Sequence, residues 1–219
     1  CIMNNKILYY DNTEDLNFDD EIEKIELADE VHLNFDATKK SMLFLLGILF
    51  ASGKKISILN GEDLFIDEKK SFNKMALYWD KNNLEPRIKN EPIDNAIFLI
   101  CPVRKATDKQ KEFLLNYKKE KIEEGYNLHY PAVDTEQNKD SIGYEICTVN
   151  ANAIGSSNSI HIYYDNSSKG TLFDLGVAYY LNKELKLINE DTIIFDDSDY
   201  FDMLVKRWSS KSKGKEKVK

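Results

Sequence analysis

The chain has 219 residues, 42% of them hydrophobic and 31% charged, with a formal net charge of −8. That length and apolar content suit one large or two small globular domains, while 9 Gly, 4 Pro and 11% aromatics exclude collagen-like, mucin-like and wholly disordered architectures. The longest apolar run, residues 42–51, falls short of the roughly 18 residues a membrane span needs, so no membrane contact is expected.

The start of the chain lacks the charged, apolar and small-residue order of a signal peptide, which predicts a cytoplasmic protein. Residues 6–10 read as a first strand, followed by an acidic, Asn-rich stretch and a helix before Ala28. Residues 31–35 and 56–59 read as strands flanking a polar loop and an amphipathic helix, a spacing that means a parallel crossover. Residues 61–94 read as an added helix and a linker. A buried-type strand, AIFLIC, follows at 96–101. Thr107 with Gln110 then forms a capping box, opening a helix whose apolar stripe is Phe113, Leu114, Tyr117 and Ile122. Gly125 stops that helix, 126–130 makes the next strand, and a further helix carries Ile142, Ile146, Val149 and Ala153 on one face. Strands at 160–164 and 185–188 enclose one more helix, and a final helix is expected near 200–208. The last 14 residues carry seven Lys or Arg and one Glu, so 209–219 read as a disordered basic tail. The remainder, with 23 basic and 37 acidic groups, stands at −14, which disfavours nucleic acid as a partner. Cys1, Cys101 and Cys147 have no CxxC spacing and the three His are scattered, so neither a metal nor a disulfide is expected.

The chain repeats itself. Residues 28–60 align without a gap on 157–189, with nine identities: His32/His161, Asp36/Asp165, Lys40/Lys169, Leu43/Leu172, Phe44/Phe173, Leu46/Leu175, Gly47/Gly176, Lys54/Lys183 and Asn60/Asn189. Ordinary residue usage would give roughly two in 33 positions. The expectation is therefore an α/β fold of parallel, Rossmann-like or flavodoxin-like sandwich type, with a degenerate N-terminal half-copy at 1–94 and a complete unit at 95–208. The expected assembly is either a homodimer, as such sheets often form, or an intramolecular pseudo-dimer in which the two copies pack face to face.

In an open parallel sheet the ligand lies beyond the carboxyl ends of the strands. Pro102 and Arg104 fall in the first such loop, where Arg104 would clamp a phosphate or stack on a base. Asp134 and Asp140 fall in the second, as sugar-hydroxyl or proton acceptors, with Tyr130 at its entrance. The third, DNSSKGTLFDLG, places Ser168, Gly170 and Thr171 at a helix start, where backbone N–H groups favour an anion. Asp174 is expected in the first turn of that helix. The matching residue in the first copy is Leu45, so the carboxylate belongs to the second copy alone.

With Ser168, Gly170, Leu175, Gly176, Ala178 and Lys183 at matching spacing, residues 96–189 resemble the nucleoside 2-deoxyribosyltransferase family, which includes the 2'-deoxynucleoside 5'-phosphate N-hydrolases. The resemblance implies cleavage or transfer at the N-glycosidic bond of a nucleoside or nucleotide, a small-molecule partner and no cofactor. The family's nucleophilic Glu falls on Asp174, one methylene shorter, and its sugar-contacting Asp on Asn150. The implied catalytic residues are Asp174, Asn150 and Tyr130. The competing expectation is a nucleotide-binding or sensing module without catalysis.

Overall fold

A computed structural model describes residues 6–14, 16–66, 69–138 and 141–216. The first unit comprises β1 (Ile7–Tyr10), α1 (Phe18–Leu27), β2 (Glu30–Leu33), α2 (Lys40–Ser52), β3 (Lys55–Ile58) and α3 (Phe72–Lys81). The second comprises β4 (Ala96–Ile100), α4 (Asp108–Glu123), β5 (Asn127–His129), α5 (Pro131–Asp134), α6 (Tyr144–Ser156), β6 (Ser159–Ile162), α7 (Lys169–Tyr180), β7 (Glu184–Leu187) and α8 (Tyr200–Glu216). Every pairing is parallel, in the orders β1-β2-β3 and β5-β4-β6-β7. The fold is α/β, and the second order is flavodoxin-like, with its direction of winding reversing between β4 and β6.

Helical cover explains the strand patterns. All five residues of β4 are buried because helices lie on both faces of its sheet, whereas β2 and β3 alternate between buried and half-buried. Among the described residues the first unit has no counterpart of α4, and the matched histidines report the difference. His161 is buried and its Nδ1 lies 2.7 Å from the Tyr117 hydroxyl of α4, while His32 packs edge-on against exposed Tyr9. The α4 cap forms as expected, with both capping-box bonds made, but only Leu114 of its stripe is buried, and Phe113 and Ile122 are exposed.

The two units join through α2 and α7, which lie between the sheets and are therefore buried nearly all round. Residues 42–50 and 171–178 are buried without a break, so the amphipathic faces expected of these helices are absent. One hydrophobic cluster runs through both sheets, taking in Val31, Leu33 and Phe44 with Ile160, Ile162 and Phe173. The helices cross at matched glycines. A β-carbon on Gly47 would lie 2.1 Å from the Phe173 carbonyl oxygen, and one on Gly176 would lie 2.1 Å from that of Phe44. That reciprocity is a local pseudo-twofold axis.

Other matched residues make matched contacts. The Asn60 side chain bonds both backbone groups of Phe35, and Asn189 bonds both of Tyr164, across 2.8–3.0 Å. Lys54 and Lys183 each donate to two carbonyls at the end of the helix preceding the central strand of their unit. Asp36 and Asp165 each accept a backbone N–H and a hydroxyl two residues on.

Three expectations are corrected. First, α3 is no addition: at the same offset of 129 residues Phe72 matches Phe201 and Trp79 matches Trp208. Their rings repeat the pattern, with Phe72 against Phe173 and Phe201 against Phe44 (both 5.4 Å), and Trp79 against Phe50 and Trp208 against Tyr179. Second, the buried face of α6 is Cys147, Asn150, Ala151 and Ile154, one residue or about 100° round from the expected stripe, and Val149 is exposed. Third, the tail expected to be disordered is helical through Glu216. Ser209 is buried and the Ser212 hydroxyl accepts the N–H of Leu185 on edge strand β7 at 3.0 Å, so the helix continues past Trp208 to cap that edge. No helix among the described residues is long and apolar enough to cross a membrane.

Candidate functional site

A cavity of about 600 Å³ opens at the carboxyl ends of β4 and β6, where the strand order reverses. Its second-unit side is made by Cys101, Cys147, Asn150 and Asp174, with Ser168 and Gly170 from the start of α7 and Arg104 from the loop after β4. The facing wall comes from the first unit: Phe35 and Ala37 after β2, Leu64, and Phe72 and Met75 of α3. The equivalent volume in the first unit is filled. Phe18 packs against Phe44, Phe201 and Tyr200, and the Tyr10 hydroxyl donates to buried Glu21, the residue at Asn150's offset, across 2.5 Å.

Asp174 is the one carboxyl group buried in the cavity among the described residues. Helix α7 begins at Lys169, two residues earlier than expected, so Asp174 falls in the second turn and is only 7% exposed. Burial disfavours the anion and pushes its pKa up to about 8, against a hydrogen bond from the Asn150 side chain that lowers it. Asn150 is itself oriented. Its Oδ1 accepts from the Thr135 hydroxyl at 3.0 Å, which leaves the amide NH₂ as the group that serves Asp174. Thr135 Oγ1 in turn lies 2.9 Å from His129 Nε2 and, with its proton committed to Asn150, accepts from that ring. Burial holds the His129 pKa below the ordinary histidine value, with nearby Asp134 opposing. A chain thus runs His129–Thr135–Asn150–Asp174 from outside the cavity to its floor.

Cys101 also faces the cavity, but burial, and secondarily the Asp174 charge, push its thiol well above the ordinary range, so it is not a thiolate nucleophile.

The remaining expected residues divide. Ser168 caps α7, accepting from the Thr171 N–H, and with Gly170 borders the cavity. Arg104 is exposed at the mouth and donates from Nη1 to the Lys70 carbonyl at 3.0 Å. Thr171 is fully buried, outside the cavity wall, and its hydroxyl has no partner among the described residues. Tyr130, expected to be catalytic, is 2% exposed and packs with Ile97, Leu99, Leu114 and Leu128 in a small core under α4, outside the cavity wall. Pro102 is buried and likewise absent from the wall. Asp134 is engaged by Lys118 and by the Tyr130 N–H, so it braces α5 and does not reach the cavity. Asp140 lies outside the described residues.

Sequence reasoning missed Thr135 and His129, whose side chains meet Asn150 only through tertiary packing, and the whole first-unit wall. The signal for that wall was present in the Phe72/Phe201 and Trp79/Trp208 matches, which continue the repeat beyond residue 60. Among the described residues no three His, Cys, Asp or Glu side chains gather as a metal site. Comparison of the chain with protein-family models, with curated proteins and with solved structures gives no match.

Proposed function

We propose that the cavity binds a nucleoside or nucleotide and that Asp174 acts at the anomeric carbon of its N-glycosidic bond, in hydrolysis or transfer. The observation that carries this reading is a buried carboxyl group, single among the described residues, opening into a cavity of mixed apolar and polar lining with a polar helix start at its edge, the combination a base and a sugar require together. With a pKa of about 8 the group is mostly protonated at neutral pH and serves as the acid. As the C1'–N bond breaks, its electrons pass to the base, which takes the Asp174 proton. The carboxylate left behind faces the developing oxocarbenium ion and stabilises it, with or without a covalent ester. Water, or a second base, then adds to C1' and gives up a proton, which restores the neutral carboxyl. Asn150 holds the carboxyl in place throughout. In this reading the partner is a small molecule, the setting is the cytoplasm, and the α2–α7 contact makes the chain an intramolecular pseudo-dimer.

The test is incubation with deoxynucleosides, ribonucleosides, their 5'-monophosphates and NAD, with free base read by chromatography. Release from one class, reduced at least about 100-fold in Asp174→Asn, is the expected result; release that survives the substitution refutes the assigned role. One observation favours the second reading, a binding or sensing module: a neutral carboxyl is also a good hydrogen-bond donor to a base edge. Binding with no release from any substrate would establish that reading.

A further inference from the structure

The pseudo-twofold relation supplies an internal template for the contents of the cavity. In the filled volume of the first unit, the Phe201 ring packs against three others: Phe44 at 5.4 Å, Tyr200 at 5.2 Å and Phe18 at 6.4 Å between centroids. Phe201 is only 4% exposed there. At the offset of 129 residues, Phe201 corresponds to Phe72, Phe44 to Phe173, Tyr200 to Ser71 and Phe18 to Cys147. Phe72 keeps the ring contact with Phe173 at 5.4 Å, but small side chains stand in place of the other two rings. Phe72, Ser71 and Cys147 all border the cavity, and Phe72 is half-buried. The open site is the filled one with two aromatic rings taken out.

The exchange extends along the same wall. Phe35 and Ala37 stand where the second unit has Tyr164 and Asn166, whose hydroxyl and amide donate to the Asp202 carboxylate at 3.0 and 2.8 Å. At these two positions the wall is apolar where its counterpart is tied by hydrogen bonds. Because interiors are close-packed, an aromatic cluster short of two rings is costly to keep open, and a planar aromatic ligand restores the missing contacts. Phe173 is followed directly by Asp174, and both border the cavity. A ring held against Phe72 and Phe173 therefore has the buried carboxyl group on the adjoining residue of α7, as a base and its anomeric carbon require.

We propose that Phe72 is the residue on which the ligand's base stacks, and that the base takes the place that the Phe18 and Tyr200 rings hold in the filled site. Those two rings have centroids 5.9 Å apart, so the space is wider than one six-membered ring and selects a bicyclic base. This rests on the nucleotide reading above and narrows it to purine derivatives. The first unit then has a binding role: α3 supplies Phe72, and the base pocket is incomplete without it. Stacking of this kind predicts that a purine nucleoside binds about tenfold more tightly than a pyrimidine nucleoside, an advantage that disappears with the ring of Phe72.

The experiment is calorimetric titration of the full chain with the common purine and pyrimidine nucleosides, their 5'-monophosphates, and the free bases adenine and cytosine, repeated on Phe72→Leu and Cys147→Phe. Phe72→Leu keeps an apolar side chain and removes the aromatic face. Cys147→Phe puts back the ring that Phe18 supplies in the filled site, so it blocks the base pocket from within; a melting curve checks that it folds, and if it does not, Phe72→Leu decides alone. The expected result is a purine-to-pyrimidine affinity ratio of about ten that falls to near one in Phe72→Leu, with binding lost in Cys147→Phe. A ratio near one in the unaltered chain, a ratio that Phe72→Leu leaves intact, or full binding by folded Cys147→Phe overturns the base pocket while the nucleoside reading stands. If neither nucleosides nor monophosphates bind, the nucleotide reading falls. In that case adenine binding that weakens about tenfold in Phe72→Leu upholds the stacking site, and no adenine binding overturns it as well.

Discussion

Replacing Asp174 by Asn removes one ionisation and keeps nearly the same shape, so the pH dependence of stability isolates what burial does to this carboxyl group. In the unfolded chain the group titrates at its ordinary 3.8; in the folded chain burial moves it to about 8. Between those values the folded state holds a proton that the unfolded state has released. Stability therefore falls as pH rises through this window, by about 1.4 kcal/mol per pH step, and levels off above about pH 8. Over the whole window the loss approaches about 6 kcal/mol, and from about pH 5 to pH 7 it is about 3 kcal/mol. The amide in the Asp174→Asn variant is neutral at every pH, so the variant gains on the original chain by that amount. The assay is urea unfolding of both proteins at intervals from about pH 5 to pH 9, reading the difference between them. Taking the difference cancels groups common to both, among them His161, whose buried ring is held down to about 3 and destabilises the folded state in acid. A difference that stays flat from about pH 5 to pH 8 would refute the reasoning, because it would mean that Asp174 is ionised in the folded protein.

Further outcomes follow from the same contacts. Gly47→Ala places a methyl group 2.1 Å from the Phe173 carbonyl and forces α2 and α7 apart. The cost is about 3 kcal/mol or more, read as a fall in melting temperature. Adding Gly176→Ala costs much less than the first substitution, because the helices have already separated; full additivity would show that the two glycines do not share one contact. Thr135→Val breaks the chain to His129 and frees the Asn150 amide to turn, so turnover or nucleotide binding falls about tenfold, and Thr135→Ser restores it. Failure of the serine variant to rescue would assign Thr135 to packing alone. Truncation after Trp208 removes the Ser212 bond to Leu185 and the buried Ser209, and lowers stability by about 1–2 kcal/mol in urea titrations; an unchanged midpoint would show that the last turns of α8 contribute nothing.

The alternation of short apolar strands with helices was sufficient to specify parallel α/β sheets, because a strand, a helix and a strand in about 30 residues leave only a crossover connection. Comparing the chain with itself located the second unit's unmatched carboxylate at Asp174, and composition excluded a membrane-spanning helix. What periodicity could not supply was the surroundings of each helix. Helices α2 and α7 have no polar face because each lies between two sheets, and α6 is turned by one residue because Asn150 faces the cavity floor while Val149 faces solvent. Tyr130 and Asp134 sat in the correct loop by chain order, yet packing under α4 and the bond to Lys118 turn them away, whereas Thr135, beside them in the sequence, reaches Asn150. The N-terminal copy read as a degenerate remnant; in three dimensions it supplies one wall of the cavity. A repeat is visible in one dimension because matched residues keep matched local bonds. Which unit's cavity stays open is decided by side chains that meet only in the tertiary structure: aromatic rings and a Tyr–Glu bond fill one, and a buried carboxyl group is left at the floor of the other.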